Sequence, residues 1–132
     1  MYRILVVDDE RLILNLLREA LTRFGYQVET ASSIRQAVFL FDREPFDLVI
    51  TDILMPDGDG VQIAKHVHDS RRPGIPVLGT SGTPWLLERN CFEMVLSKPF
   101  TLGSLRNAVE ELLTHPLGAF RSPVGRKTVA NI

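Results

Sequence analysis

Cysteine is almost missing from this chain: Cys91 is the only one among 132 residues. An intramolecular disulfide is therefore excluded, and the composition suits a reducing compartment. No apolar run is long enough to span a bilayer, and the N-terminus has no basic region leading into a long apolar stretch. Neither a transmembrane helix nor a signal peptide is expected. No charge sign dominates: 15 basic residues face 16 acidic ones, a net charge of −1. That balance gives no global drive toward nucleic acid or a membrane surface. Histidine is scarce. His66 and His68, two apart, point in different directions on a helix, so surface positions are expected and not a metal pair. Repeats and low-complexity tracts are absent. These absences point to a cytoplasmic globular protein with no direct nucleic-acid or membrane partner. The 45% apolar content and the length fit one domain with a real core.

What is present is an alternation of strand and helix, repeated five times. Tyr2 to Val7 is a nearly continuous apolar run, which reads as a strand buried on both faces. Three acids follow it: Asp8, Asp9 and Glu10. Arg11 to Phe24 carries a helical stripe of Leu12, Leu16, Ala20 and Phe24, flanked by Ile13, Leu17 and Leu21, with Gly25 as the stop. Gln27 to Ala31 is a second strand. Ser33 and Gln36 have capping-box spacing ahead of a helix bearing Ile34, Ala37, Val38 and Phe41, ended by Pro45. Asp47 to Thr51 is a third strand leading to Asp52. A turn-rich loop with Pro56, Gly58 and Gly60 opens a third helix, from about Asp59 to Ser70.

Ile75 to Thr80 is a fourth strand, left through Ser81-Gly82-Thr83. Thr83 and Pro84 signal a helix start, and that fourth helix, Trp85 to about Cys91, spans only about two turns. Glu93 to Ser97 is a fifth strand ending at Lys98-Pro99. Thr101 caps a last helix with Leu102, Leu105, Val109, Leu112 and Leu113. Residues 116–132 lack an apolar period. They hold Arg121, Arg126 and Lys127 but no acid, and are expected to form a flexible C-terminal extension to a domain over residues 1–115. The pattern predicts a doubly wound α/β fold with a parallel sheet and helices on both faces. Ligand sites in such sheets lie at the carboxyl ends of the strands.

The polar residues expected at those ends are Asp8 and Asp9 from strand one, Asp52 from strand three, Ser81 from strand four and Lys98 from strand five. Three carboxylates on one rim repel each other unless cations are present. An oxygen-rich cluster of this kind suits Mg2+, which keeps several waters. The set describes a phosphoryl-transfer site. Asp52 can act as nucleophile and form an acyl phosphate, while Mg2+, Lys98 and Ser81 neutralise the phosphoryl oxygens. A salt-bridged sheet rim with unrelated caps is the plainer alternative, but buried charges are costly without a partner or metal.

Four motifs in this order resemble the receiver domain of bacterial two-component response regulators. They are VVDDE at Val6 to Glu10, D-x-x-M-P-x-x-D-G from Asp52 to Gly60, Ser81-Gly82 after strand four, and Lys98-Pro99-Phe100. The resemblance covers roughly residues 2–115. It implies a five-stranded flavodoxin-like (CheY-like) sheet of order 2-1-3-4-5. It makes Asp52 the phosphoacceptor from a sensor histidine kinase or histidine phosphotransfer protein. Asp9 and Asp8 would hold Mg2+ with Asp52, the backbone carbonyl of Leu54 would be a further ligand, and Ser81 and Lys98 would hold the phosphoryl group. Such a domain is no enzyme beyond its own aspartyl phosphorylation and dephosphorylation, and it signals to a downstream protein.

Two features depart from that family pattern. Val95 stands where receivers usually have Tyr or Phe, three positions before the lysine. The segment from Ser81 to Lys98 is also short, which trims the fourth helix. Both would suit a receiver-fold interaction module that signals without phosphorylation, whereas the complete acidic site argues for phosphorylation. A haloacid-dehalogenase-like phosphatase would need an acid where Leu54 stands. A nucleotide-binding relative would want a phosphate-cradling loop after strand one, where this chain has acids.

Overall fold

The computed structural model describes residues 1–56, 58–82, 91–114 and 129–130. In chain order the elements are β1 (Arg3–Val7), α1 (Arg11–Arg23), β2 (Gln27–Ala31), α2 (Ile34–Arg43), β3 (Leu48–Asp52), β4 (Leu54–Met55), β5 (Gly58–Asp59), α3 (Gly60–His68), β6 (Val77–Ser81), β7 (Met94–Ser97), α4 (Leu102–Thr114) and β8 (Val129–Ala130). The main sheet has the order β2-β1-β3-β6-β7-β8. Its first five strands are the expected 2-1-3-4-5 arrangement, all parallel. The sixth strand comes from the segment read as a C-terminal extension: Val129 and Ala130 pair in parallel with Val95 and Leu96. The short helix expected from Trp85 to about Cys91, like most of the extension, lies outside the described residues.

The strands divide the core by simple alternation, since successive side chains point to opposite faces. Ile4, Val6, Leu48, Ile50, Leu78, Met94 and Leu96 pack on one face with the buried sides of α1 and α4. Leu5, Val7, Val49, Val77 and Val95 pack on the other with α2 and α3. Both faces are thus covered, which is why these strands read as continuous apolar runs rather than alternating ones.

Helix boundaries follow local chemistry. Gly25 (φ 101°) takes the left-handed conformation that ends α1, and its N–H reaches the Thr22 carbonyl at 3.0 Å. The Ser33 side chain accepts from Gln36 N at 3.1 Å at the start of α2. The Gln36 side chain reaches back one residue beyond the expected box, to Ser32 N at 2.8 Å. At the far end of α2, Glu44 is extended ahead of Pro45, as a pre-proline residue prefers. Thr101 Oγ1 accepts from Ser104 N at 3.0 Å and caps α4.

The stripe expected on α1 is rotated. Leu12 and Leu16 are 83% and 55% exposed and Leu14, outside the expected stripe, is buried, while Leu17, Ala20 and Leu21 are buried as expected. Apolar residues at 12, 13, 14, 16, 17, 20 and 21 wrap most of the helix, so periodicity alone does not single out one face. His68 also departs from the surface expectation. Its Nε2 lies 3.4 Å from Oε2 of Glu93, a buried carboxylate whose Oε1 accepts from Val77 N at 2.7 Å. His66 pairs with Asp42 at 2.6 Å.

Candidate functional site

Register alone brings the polar strand ends together. Val7 is opposite Thr51, so Asp8 and Asp52 follow at the same level of adjacent strands. Asp52 is opposite Thr80, the residue before Ser81. Ser81 is opposite Ser97, the residue before Lys98. Asp8, Asp52, Ser81 and Lys98 therefore line one rim in the order of the strands, with Asp9 one residue beyond Asp8.

The side chains converge as well. Carboxylate oxygens of Asp8, Asp9 and Asp52 lie within 4.8 Å of one another. Lys98 Nζ is 3.4 Å from Asp52 Oδ2 and 3.6 Å from Asp8 Oδ2. Asp8 Oδ1 accepts from Glu10 N at 2.9 Å, and the Leu54 backbone bonds to the Asp52 carboxylate. Ser81 is buried, and its carbonyl accepts from Lys98 N at 2.7 Å, which locks β6 to the segment carrying the lysine. The Leu54 contact with the site is its backbone N–H to the Asp52 carboxylate, and its side chain is exposed.

The loop after β3 is held close by glycine. Gly60 N donates to the Ile53 carbonyl at 2.6 Å. A Cβ on Gly60 would lie 2.6 Å from the Asp52 carbonyl oxygen, so any other residue would push this loop off the end of β3. In the sequence Gly60 is a turn residue and the last position of the D-x-x-M-P-x-x-D-G motif; its close approach to the Asp52 carbonyl is visible only in the structure.

Charge is unbalanced at the rim. Burial raises the Asp52 carboxyl above the ordinary carboxylate value, Lys98 pulls it back down, and Asp8 pushes it up again. Asp8 is raised for the same first reason, against the lowering effects of the Glu10 N–H and Lys98. One ammonium among three carboxylates leaves the cluster short of positive charge. An all-oxygen donor set, part exposed through Asp9, fits a hard divalent cation such as Mg2+ that retains waters. Asp8, Asp9 and Asp52 are the only described group of three or more potential ligands.

A sequence profile for the response regulator receiver domain matches residues 4–110. The chain belongs to the response regulator receiver family. This receiver is 36% identical over 115 residues to the response regulator protein PilR of Pseudomonas aeruginosa, an alignment covering 83% of this chain and 25% of PilR. It is 31% identical over 118 residues to the response regulator receiver protein CpdR of Brucella abortus, covering 86% of this chain and 98% of CpdR. Against the first relatives the chain spans only between 25% and 32% of their length.

Solved receivers share the fold. TrrA of Thermotoga maritima, in complex with Mg2+-BeF, superposes with a TM-score of 0.78 at 32% identity, covering 86% of this chain and all of TrrA. The chemotaxis response regulator CheY4 of Vibrio cholerae gives 0.78 at 28% identity, covering 86% of this chain and 99% of CheY4. Against that family Val95 is the departure noted in the sequence. It is fully buried within the core on the α2–α3 side of the sheet.

Proposed function

We propose that residues 1–115 form a receiver that accepts a phosphoryl group on Asp52 from the phosphohistidine of a sensor histidine kinase or histidine phosphotransfer protein. The observation that carries this reading is the convergence of Asp8, Asp9 and Asp52 on one rim with Lys98 3.4 Å from Asp52. Mg2+ would be held by Asp8, Asp9, Asp52 and the Leu54 carbonyl, and when bound supplies neutralising charge to the phosphoryl oxygens. An oxygen of the ionised Asp52 attacks phosphorus, and the phosphorus–nitrogen bond to the donor imidazole breaks. The bonding pair stays on the imidazole, which then takes up a proton. The product is an acyl phosphate on Asp52. Lys98 stabilises charge spreading onto the phosphoryl group, and the Ser81 hydroxyl donates to it.

As a receiver the domain is a signalling module, and its turnover is confined to its own aspartyl phosphate. Its downstream partner is a protein, and its place is the cytoplasm. Signalling without phosphorylation is favoured by Val95 and by the short segment from Ser81 to Lys98, neither of which removes a member of the acidic cluster. Beryllium fluoride with Mg2+ tests the reading directly. Spectral changes at Asp52 and its neighbours are expected; no response at saturating mimic would refute it.

A further inference from the structure

We propose that the cleft between α1 and the β2–α2 turn, which borders the phosphoryl-acceptor site at Asp9, is a binding site for a small phosphomonoester. The cleft measures about 470 Å³, a size that takes a small molecule rather than a bare ion. It opens at the carboxyl ends of β1 and β2, the side of an open α/β sheet where ligands sit.

One wall is a stripe on α1. Arg11, Asn15 and Arg18 are spaced four and three apart, so they share a helix face. The other wall is Thr30 and Ser32 at the end of β2 and Gln36 in the first turn of α2. Arg18 Nη2 donates to Thr30 Oγ1 at 2.7 Å and so spans the cleft. Gln36 Oε1 is engaged by Ser32 N at 2.8 Å and Ser32 Oγ at 3.2 Å, which makes its amide nitrogen the donor this side chain brings.

The cations at this cleft are not neutralised by an ion pair among the described residues. Arg11 begins α1, where a cation opposes the helix dipole and no acid occupies the first turn. Among the described residues Arg11 and Arg18 form no ion pair, as holds also for Arg35, Arg43, Arg71 and Arg72, but only Arg11 and Arg18 line this cleft. Two guanidiniums, the Thr30 hydroxyl and the side-chain amides of Asn15 and Gln36 make a donor-rich cradle, the chemistry that recognises phosphate, while Ser32 spends both its donors on Gln36. The apolar part of the lining is Leu14 alone, so the ester portion is polar and polyol-like rather than aromatic or acyl. Asp9 forms the wall nearest the acidic cluster, so occupancy is felt there through like-charge repulsion.

The test is an NMR titration of the full chain in metal-free buffer with glycerol 3-phosphate and, separately, inorganic phosphate. Without metal the acidic cluster repels both probes. Saturable shifts are expected at the Asn15 and Gln36 side-chain amides and at Thr30 and Ser32, with glycerol 3-phosphate the tighter ligand. Arg11→Gln and Arg18→Gln, both exposed positions, should each weaken binding at least about tenfold. Asp52→Asn removes one repelling charge and should tighten the titration modestly with the shifts still at the same residues, which keeps this result independent of the phosphoacceptor reading. The proposal is overturned if no saturable shift occurs, if both arginine variants titrate like the parent, or if shifts are confined to Ser81 and Lys98. Equal affinity for the two probes would overturn the esterified ligand.

Discussion

The two ends of the same sheet treat buried charge in opposite ways. At the amino-terminal end, charges are matched within the chain. Arg3 Nη2 meets Glu44 at 2.6 Å and Glu29 at 3.5 Å, and Arg3 N donates to Asp47 at 2.8 Å. Glu93 is buried, yet one oxygen takes the Val77 N–H and the other faces His68. At the carboxyl-terminal end Asp8 and Asp52 are buried too, but among the described residues Lys98 is the one cation paired with them and Asp9 beside them has none. A buried charge with a hydrogen-bond donor and a basic side chain beside it is architecture. A buried charge short of its counter-charge stores unfavourable energy that an incoming cation releases, and this makes the second rim receptive.

The largest expected effect breaks the receptive rim. Asp52→Asn should abolish phosphorylation outright, checked by intact mass after incubation with acetyl phosphate and Mg2+. Lys98→Ala removes the fixed cation closest to the phosphoryl oxygens and should slow phosphotransfer about 10²–10³-fold, measured by rapid-quench kinetics. The matched rim should respond in stability instead. Glu93→Ala leaves the buried Val77 N–H without its acceptor and should cost about 1–3 kcal/mol in denaturant unfolding, with Asp52 chemistry retained.

Smaller effects sharpen the contrast. The folded state holds Asp52 more protonated than an ordinary carboxyl, so its ionised form costs stability at neutral pH. Asp52→Asn should therefore be more stable than the parent in metal-free buffer. A lower melting temperature would contradict the charge imbalance. The same shifts set a pH dependence. Between the ordinary value of 3.8 and the raised folded values of Asp8 and Asp52, the folded state binds more protons than the unfolded one. Their contribution to stability thus falls as pH rises through that window. The loss should be smaller in Asp52→Asn and should vanish with saturating Mg2+, as read by melting temperature against pH.

Much of this contrast was legible before the structure. Apolar runs ending in Asp8, Asp52, Ser81 and Lys98 mark strand ends, and parallel pairing places strand ends at one level. The matched rim was not legible. Glu93 reads as the start of a strand and His68 as a surface residue; their pairing depends on how α3 packs on β6 and β7, which no local pattern encodes. The face of α1 was misjudged for a related reason, because its apolar residues cover more of the helix than the sheet can bury. Val129–Ala130 beside β7 joins residues far apart in sequence through two residues only, too few for a periodic signal.

The central claim is that the unmatched rim exists to receive a cation and a phosphoryl group. The most direct measurement is intact-mass and peptide-mapping analysis after acetyl phosphate treatment, with and without Mg2+. The account predicts one phosphoryl adduct per chain, on Asp52, formed only when Mg2+ is present. An adduct on another residue, an adduct independent of Mg2+, or none at all would contradict it.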